Sequence, residues 1–399
     1  MNDVFGIYLA ALRSFVQGSA PEPVSEEQWP RLMELAYINN TKGILCQVYM
    51  TRPDALPEGL RPVLRRECLQ EVALYAQRAN RMTRLAEEFD RNGIDCIFFK
   101  GFVLRDYYPV PELRTFGDVD FVIRKEDREK ADSLMKELGF APGDTWEPAY
   151  SYRKGVEYYE IHTDVMEIDV SDKADYTGYY SHIWEHTCPA QVVKLSHGLE
   201  FTPEFHFLYL LTHIAKHISA SGAGVRMYLD IAFFVRHFGD ALDWSWVAGE
   251  LEKLAFSDFA NMVLSAVERW FGVESPLPLR AVEEAVMDDF LEFTLSGGIY
   301  GYVGRDKGTV FLKQQGRNDR EEVSRVRTIL NHAFPPVSSM ENRYPYLQKR
   351  PWLLPAAWVH RLVASRSEWA RFASHTRQIL DADEDEVKKL KRIYKELGL

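Results

Sequence analysis

The spacing of apolar residues changes twice along this chain, and those two changes limit what it can fold into. From Phe5 to Asn92 apolar side chains recur every three or four residues, interrupted at 18–23 and 52–62, which predicts a run of helices. The longest, 65–91, should stop at Asn92-Gly93, a good helix-ending pair. Short apolar runs then take over. Residues 94–99 and 115–123 predict two strands, and 150–153 with 156–165 predict a β-hairpin about Lys154-Gly155. A helix over 125–138, ended by Gly139, separates the second strand from the hairpin. After Pro203 the helical spacing returns nearly to the end, with breaks at 297–304 and 335–355. Strand-forming sequence is therefore confined to a small α/β unit at about 65–172, ordered helix, strand, helix, strand, helix, hairpin. The expected organisation is a helical N-terminal region (1–64), an α/β domain (65–200) and a helical C-terminal domain (201–399).

Composition narrows the function classes. A 399-residue chain that is 46% hydrophobic can bury a large core. Its net charge of −11 argues against general nucleic-acid binding, which needs a basic field to displace counterions from phosphates. Cys46, Cys68, Cys96 and Cys188 are scattered, with no C-x-x-C pair, so neither a zinc ribbon nor a disulfide framework is expected. The first residues read as an amphipathic helix (Phe5, Leu9, Leu12, Phe15, Val16), not a signal peptide. Nowhere do eighteen apolar residues run together, and the apolar stretch 231–235 is bounded by Asp230 and Arg236. No membrane partner is expected, and a reducing cytoplasm fits best.

The chemistry concentrates in two places. Arg114-Thr115-Phe116-Gly117-Asp118-Val119-Asp120-Phe121 puts two aspartates at i and i+2 of a strand, on one face, with Val119 and Phe121 on the other. Paired carboxylates repel unless a cation lies between them, and hard oxygen ligands favour magnesium or manganese. A third carboxylate should come from a neighbouring strand. Glu160 is the first choice, with His162 and Asp164 on its face by the same period, and Glu167 and Asp169 in reserve. Lys100 follows the apolar run 97–99 and so emerges at a strand end, where substrates tend to bind. Arg114 suits either a phosphate contact or the counter-ion of the aspartates.

Lys100-Gly101, Arg114, Asp118-x-Asp120, Glu160-Ile161-His162, His213-x-x-Lys216-His217 and Arg226-x-x-x-Asp230 together resemble the pattern of the uncharacterised bacterial nucleotidyltransferase family NTP_transf_5, within the polymerase-β-like superfamily. The segments 334–336 and 355–358 are also similar to C-terminal regions of that family. The resemblance implies an α+β fold: a small mixed sheet with helices, framed here by helical regions at both ends. It implies a carboxylate triad, Asp118, Asp120 and Glu160, that binds two divalent ions (Mg2+ or Mn2+). It implies transfer of a nucleoside monophosphate from ATP or another NTP to an unidentified acceptor, with pyrophosphate released. Lys100, Gly101, Arg114, His162, Lys216 and His217 would hold the nucleotide. One departure is plain: the superfamily usually has Gly-Ser or Gly-Gly after the first strand, whereas this chain has Gly101-Phe102 preceded by Lys100. Lys100 then stands in for the missing hydroxyl as a phosphate contact.

Other patterns carry blander readings. His206, His213 and His217 share a helix face that could take zinc, but the glutamate a zinc hydrolase uses as base is missing, and helix packing accounts for them more simply. Arg226 and Asp230 read as an i, i+4 pair within one helix. The aromatic and basic residues interleaved over 343–377 fit terminal helices packing with their charges outward; a stacking surface for an acceptor is the alternative. Two other functions remain open: a glycosyltransferase whose Asp-x-Asp holds the metal of a nucleotide-sugar, and a regulatory module that binds a nucleotide with little turnover.

Overall fold

The computed structural model describes residues 3–116, 119–146, 148–166, 170, 171, 173–220, 222–298 and, toward the C-terminus, 329, 330, 333–337, 340, 344, 346–363, 376 and 384–399. The chain divides into two compact units, essentially 1–303 and 304–397. The boundaries expected at 64/65 and 200/201 both fall inside the first.

Amphipathic spacing builds the N-terminal helices α1 (Asp3–Gln17), α2 (Trp29–Ile38), α3 (Lys42–Thr51) and α4 (Arg61–Arg91). Gly93, at φ +59°, takes the left-handed position that ends α4, and the chain turns into β1 (Cys96–Phe98). There follow α5 (Gly101–Leu104), β2 (Val119–Ile123), α6 (Arg128–Glu137), β3 (Ala141–Trp146), β4 (Ala149–Lys154) and β5 (Glu157–His162). The β4–β5 hairpin turns at Gly155, where φ is +60°. Next come α7 (Tyr176–Tyr180), β6 (Thr187–Pro189) and β7 (Gly198–Phe201). The first unit closes with α8 (Pro203–Ala220), α9 (Val225–Phe238), α10 (Trp244–Lys253), α11 (Ser257–Phe271) and α12 (Glu284–Ser296).

The seven strands form one mixed sheet in the order β3-β4-β5-β2-β1-β7-β6. Its centre is built from β2, antiparallel to β1 and parallel to β5, with β7 parallel to β1 on the far side. A mixed sheet flanked by helices is the α+β class expected from the sequence. The period of two then sorts the side chains. Val119, Phe121 and Ile123 of β2, Cys96 and Phe98 of β1, and Tyr159 and Ile161 of β5 join one hydrophobic core with Met82, Leu85 and Phe89 of α4 and Leu134 and Met135 of α6. The alternate residues of β2 and β5, Asp120, Val122, Glu160 and His162, are left for the opposite face. β6 and β7 were not expected, and neither was β3.

The second unit is described on its own. Among the described residues its helices are α13 (Tyr346–Lys349), α14 (Leu354–Val363) and α15 (Glu384–Leu397). Met340, Tyr344, Leu347 and Ala357 make a small core, and the Trp358 indole donates to the Pro335 carbonyl at 2.9 Å. Tyr344 and Trp358 pack as the blander reading required, whereas Tyr346 and Trp352 are exposed, and Arg366, Trp369 and Arg371 lie outside the described residues. Among the described residues no helix is long and apolar enough to cross a membrane.

Phe121 lies at the centre of this architecture, its ring 5.2 Å from that of Phe89 and 6.2 Å from that of Phe98. Phe121→Ala should cost about 3–5 kcal/mol of unfolding free energy, and Phe121→Leu, which keeps most of the volume, clearly less. Urea unfolding followed by circular dichroism measures both.

Candidate functional site

Parallel pairing sets Asp120 directly opposite Glu160 and Val122 opposite His162. Because Val119 and Phe121 of β2 and Tyr159 and Ile161 of β5 join the core with α4, Asp120, Glu160 and His162 converge on the other face. The imidazole Nε2 of His162 lies 2.9 Å from Asp120 Oδ1 and 3.8 Å from Glu160 Oε2. One ligand-capable atom from each of Asp120, Glu160 and His162 falls within 4.8 Å of the others. The Tyr158 hydroxyl donates to Glu160 Oε1 at 2.8 Å and steadies that carboxylate. Asp118, Glu167 and Asp169 lie outside the described residues.

Lys100 enters from the end of β1. Its ammonium is 3.3 Å from Asp120 Oδ2 and 5.0 Å from the centre of the Phe99 ring. Asp120 is only 8% exposed. Burial by itself would raise its pKa, but the Lys100 charge and the His162 hydrogen bond outweigh it and hold the carboxyl well below the usual range.

A cavity of about 360 Å³ opens over these residues. Lys100, Gly101, Arg114, Asp120, Glu160 and His162 line its sheet side. Lys216 and His217 of α8 and Arg226 of α9 line the other. Lys100, Gly101, Arg114, Asp120, Glu160, His162, Lys216 and His217 thus line one cavity, whereas the Asp164 carboxylate accepts from the Val165 N–H at 2.8 Å and is not part of that lining. The cavity also takes in His213, whose Nε2 is 3.2 Å from that of His217. Burial, then the nearby Lys100 charge, drive His213 well below its ordinary pKa, and the same causes bring His217 down to about 4. Both rings are therefore neutral at pH 7, and each offers one N–H and one acceptor nitrogen.

Comparison with known families now bears on this geometry. Residues 25–272, more than half the chain, match the model of a family described as an uncharacterised nucleotidyltransferase. The chain belongs to that nucleotidyltransferase family. It is also similar to a solution structure of the antibiotic-resistance factor ANT(2'')-Ia, at 10% identity and a TM-score of 0.35, over 45% of this chain and 95% of that one. Comparison with curated proteins gives no significant match.

In this nucleotidyltransferase the long excursion between β1 and β2 is latched to α9. Arg114 donates from Nε to Asp230 Oδ1 (3.0 Å) and from Nη2 to Oδ2 (2.6 Å), both side chains being buried. The Tyr108 hydroxyl donates to the same Oδ1 at 2.8 Å, and Arg226 donates to the Thr115 carbonyl at 2.7 Å. Arg226 and Asp230 thus act across the fold and not merely as an i, i+4 pair on one helix. The shared spacing of the two residues on α9 is the sequence trace of this latch, but it does not reveal the partner. Asp230→Asn keeps the shape while leaving the Arg114 guanidinium without its buried counter-charge. A loss of about 3–5 kcal/mol is expected in urea unfolding.

His206, the third histidine of the α8 face, sits outside the carboxylate cluster, against Phe201 and Phe234. Burial lowers its pKa from 6.5 to about 3. As pH falls below 6.5 the unfolded chain takes up a proton that the folded chain refuses, so stability is lost between about pH 6.5 and pH 3 and is flat above. His206→Gln removes this penalty. Relative to wild type, the variant should gain about 2 kcal/mol between pH 7 and pH 5, whatever its offset at pH 7, as measured by chemical unfolding at both values.

Proposed function

We propose that this enzyme moves a nucleoside monophosphate from ATP or another NTP to a hydroxyl, phosphate or protein acceptor and releases pyrophosphate. The observation that carries the reading is the register of β2 on β5, which opposes two carboxylates beside an imidazole at the wall of a cation-lined cavity. This donor set suits Mg2+ or Mn2+: two hard carboxylates with room for one nitrogen, and Asp118 standing two residues before Asp120 in the sequence. When bound, a divalent ion supplies Lewis acidity toward the phosphates and lowers the pKa of an acceptor hydroxyl.

The chain's own residues do the positioning. Lys100, Lys216 and Arg226 spread positive charge along the cavity wall and neutralise a triphosphate, which holds the α-phosphorus in line for attack. The acceptor oxygen forms its bond to that phosphorus as the bond to the bridging oxygen of pyrophosphate breaks. His213 and His217, being neutral, add hydrogen bonds without adding charge. We assign Arg114 to holding the β1–β2 excursion against α9, because Asp230 already takes its Nε and Nη2. A cavity of about 360 Å³ is at the small end for ligand sites, which favours one nucleotide inside and an acceptor at the mouth.

Incubation with α-labelled NTPs, with sugar nucleotides, and with Mg2+ or Mn2+ tests the reading. Labelled nucleotide on an acceptor and free pyrophosphate are expected. Release of a nucleoside diphosphate from a sugar nucleotide would instead identify a glycosyltransferase, and binding without product a regulatory module. Asp120→Asn and Glu160→Gln should each lower turnover at least about 100-fold while the thermal unfolding transition remains cooperative; unchanged turnover in either variant would reject the assignment.

A further inference from the structure

Lys100 occupies a backbone conformation that side-chain-bearing residues avoid, at φ +54° and ψ −134°. Strained positions of this kind persist where the surroundings over-determine them, and they gather at functional sites. Here the strained residue is the one whose ammonium lies against Asp120, with the Phe99 ring beside it. Residues 101–104 start a helical turn at once, and the Leu104 N–H closes back on the Lys100 carbonyl at 2.8 Å, so the backbone at Lys100 is fixed from behind.

That placement creates a conflict. A divalent ion on Asp120 would sit about 2 Å from a carboxylate oxygen. The Lys100 ammonium already stands 3.3 Å from Oδ2, so the two cations would face each other at a few ångströms, inside a cavity wall where screening by water is reduced. They cannot both keep their best positions. We propose that Lys100 is the resident counter-cation of the Asp120–Glu160–His162 cluster, and that a divalent ion gains full access to Asp120 only when the Lys100 side chain moves off it. A lysine stem can swing while its backbone stays fixed, and the same cavity offers the displaced ammonium a triphosphate. On the nucleotidyltransferase reading, with which this second half stands or falls, nucleotide and metal then bind with positive coupling, each easing entry of the other. The strained lysine offsets the charge of Asp120 between turnovers and makes the ion wait for its nucleotide.

Electron paramagnetic resonance of free Mn2+ measures the exchange without any turnover. In the absence of nucleotide, Lys100→Met should bind Mn2+ at least about tenfold more tightly than wild type. Lys100→Gly, which suits the left-handed backbone, should tighten binding likewise, whereas Lys100→Arg, keeping the charge, should stay near wild type. Adding Asp120→Asn to Lys100→Met should abolish the gain. A non-hydrolysable ATP analogue should strengthen Mn2+ binding in wild type and do so much less in Lys100→Met. Equal or weaker binding in both Lys100→Met and Lys100→Gly, no Mn2+ binding in any variant, or a gain that survives Asp120→Asn overturns the proposal. An equal effect of the analogue on wild type and Lys100→Met overturns the hand-over to phosphate. Absence of pyrophosphate release from wild type would sink the functional reading instead, and leaves the nucleotide-free comparison intact.

Discussion

The parallel pairing of β2 with β5 is the constraint on which the site depends. Pairing at Asp120 and Glu160 brings two carboxylates, distant in sequence, to neighbouring points of one sheet face. A slip of one residue would turn the whole set over, sending Asp120 toward Phe89 and Phe98 and bringing Phe121 into the cavity. What forbids the slip is the core on the other face. Val119, Phe121, Tyr159 and Ile161 are all buried against α4 and α6, so register is enforced by apolar packing and the acidic cluster follows from it.

Electrostatics then separates two kinds of buried charge. Asp230 and Arg114 neutralise each other through two hydrogen bonds in a fixed geometry, with Tyr108 completing the acceptor. Asp120 is also ionised, but its partners are a flexible lysine and a histidine, both of which line a cavity. The first arrangement is a structural latch that has nothing to gain from exchange. In the second, both partners stand on a cavity wall, as the exchange we propose requires. The difference between a rigid guanidinium fork and a swinging ammonium is thus what separates the scaffold of this site from its working part.

Much of this was legible in the sequence because it rests on local signals. The end of α4 at Gly93, the β4–β5 hairpin about Gly155, and the common face of Glu160 and His162 follow from spacing and turn chemistry alone. What was not legible depends on distant partners. β6 and β7 span three and four residues, Thr187–Pro189 and Gly198–Phe201, too short to show alternation, and β7 gains its place by lying parallel to β1. β3 contains Pro142 and Gly143, both poor strand formers, and is carried by its ladder to β4. Arg114 meets Asp230 across 116 residues of sequence, and an i, i+4 spacing on α9 cannot announce that. Asp118, on which the sequence pattern leaned, lies outside the described residues.

Gly101, at the start of α5, has a packing role of its own. An added Cβ there would fall inside the Arg114 guanidinium and come within 3.1 Å of the Phe116 Cβ. Glycine at this point lets the Arg114 side chain pass over the start of α5 on its way to Asp230, so at least part of its role is to make room for the latch. Lys100 is the next residue back, and its backbone is fixed on one side by β1 and on the other by the α5 turn that the latch presses against. The strained conformation of Lys100 and the buried Arg114–Asp230 pair are therefore mechanically adjacent.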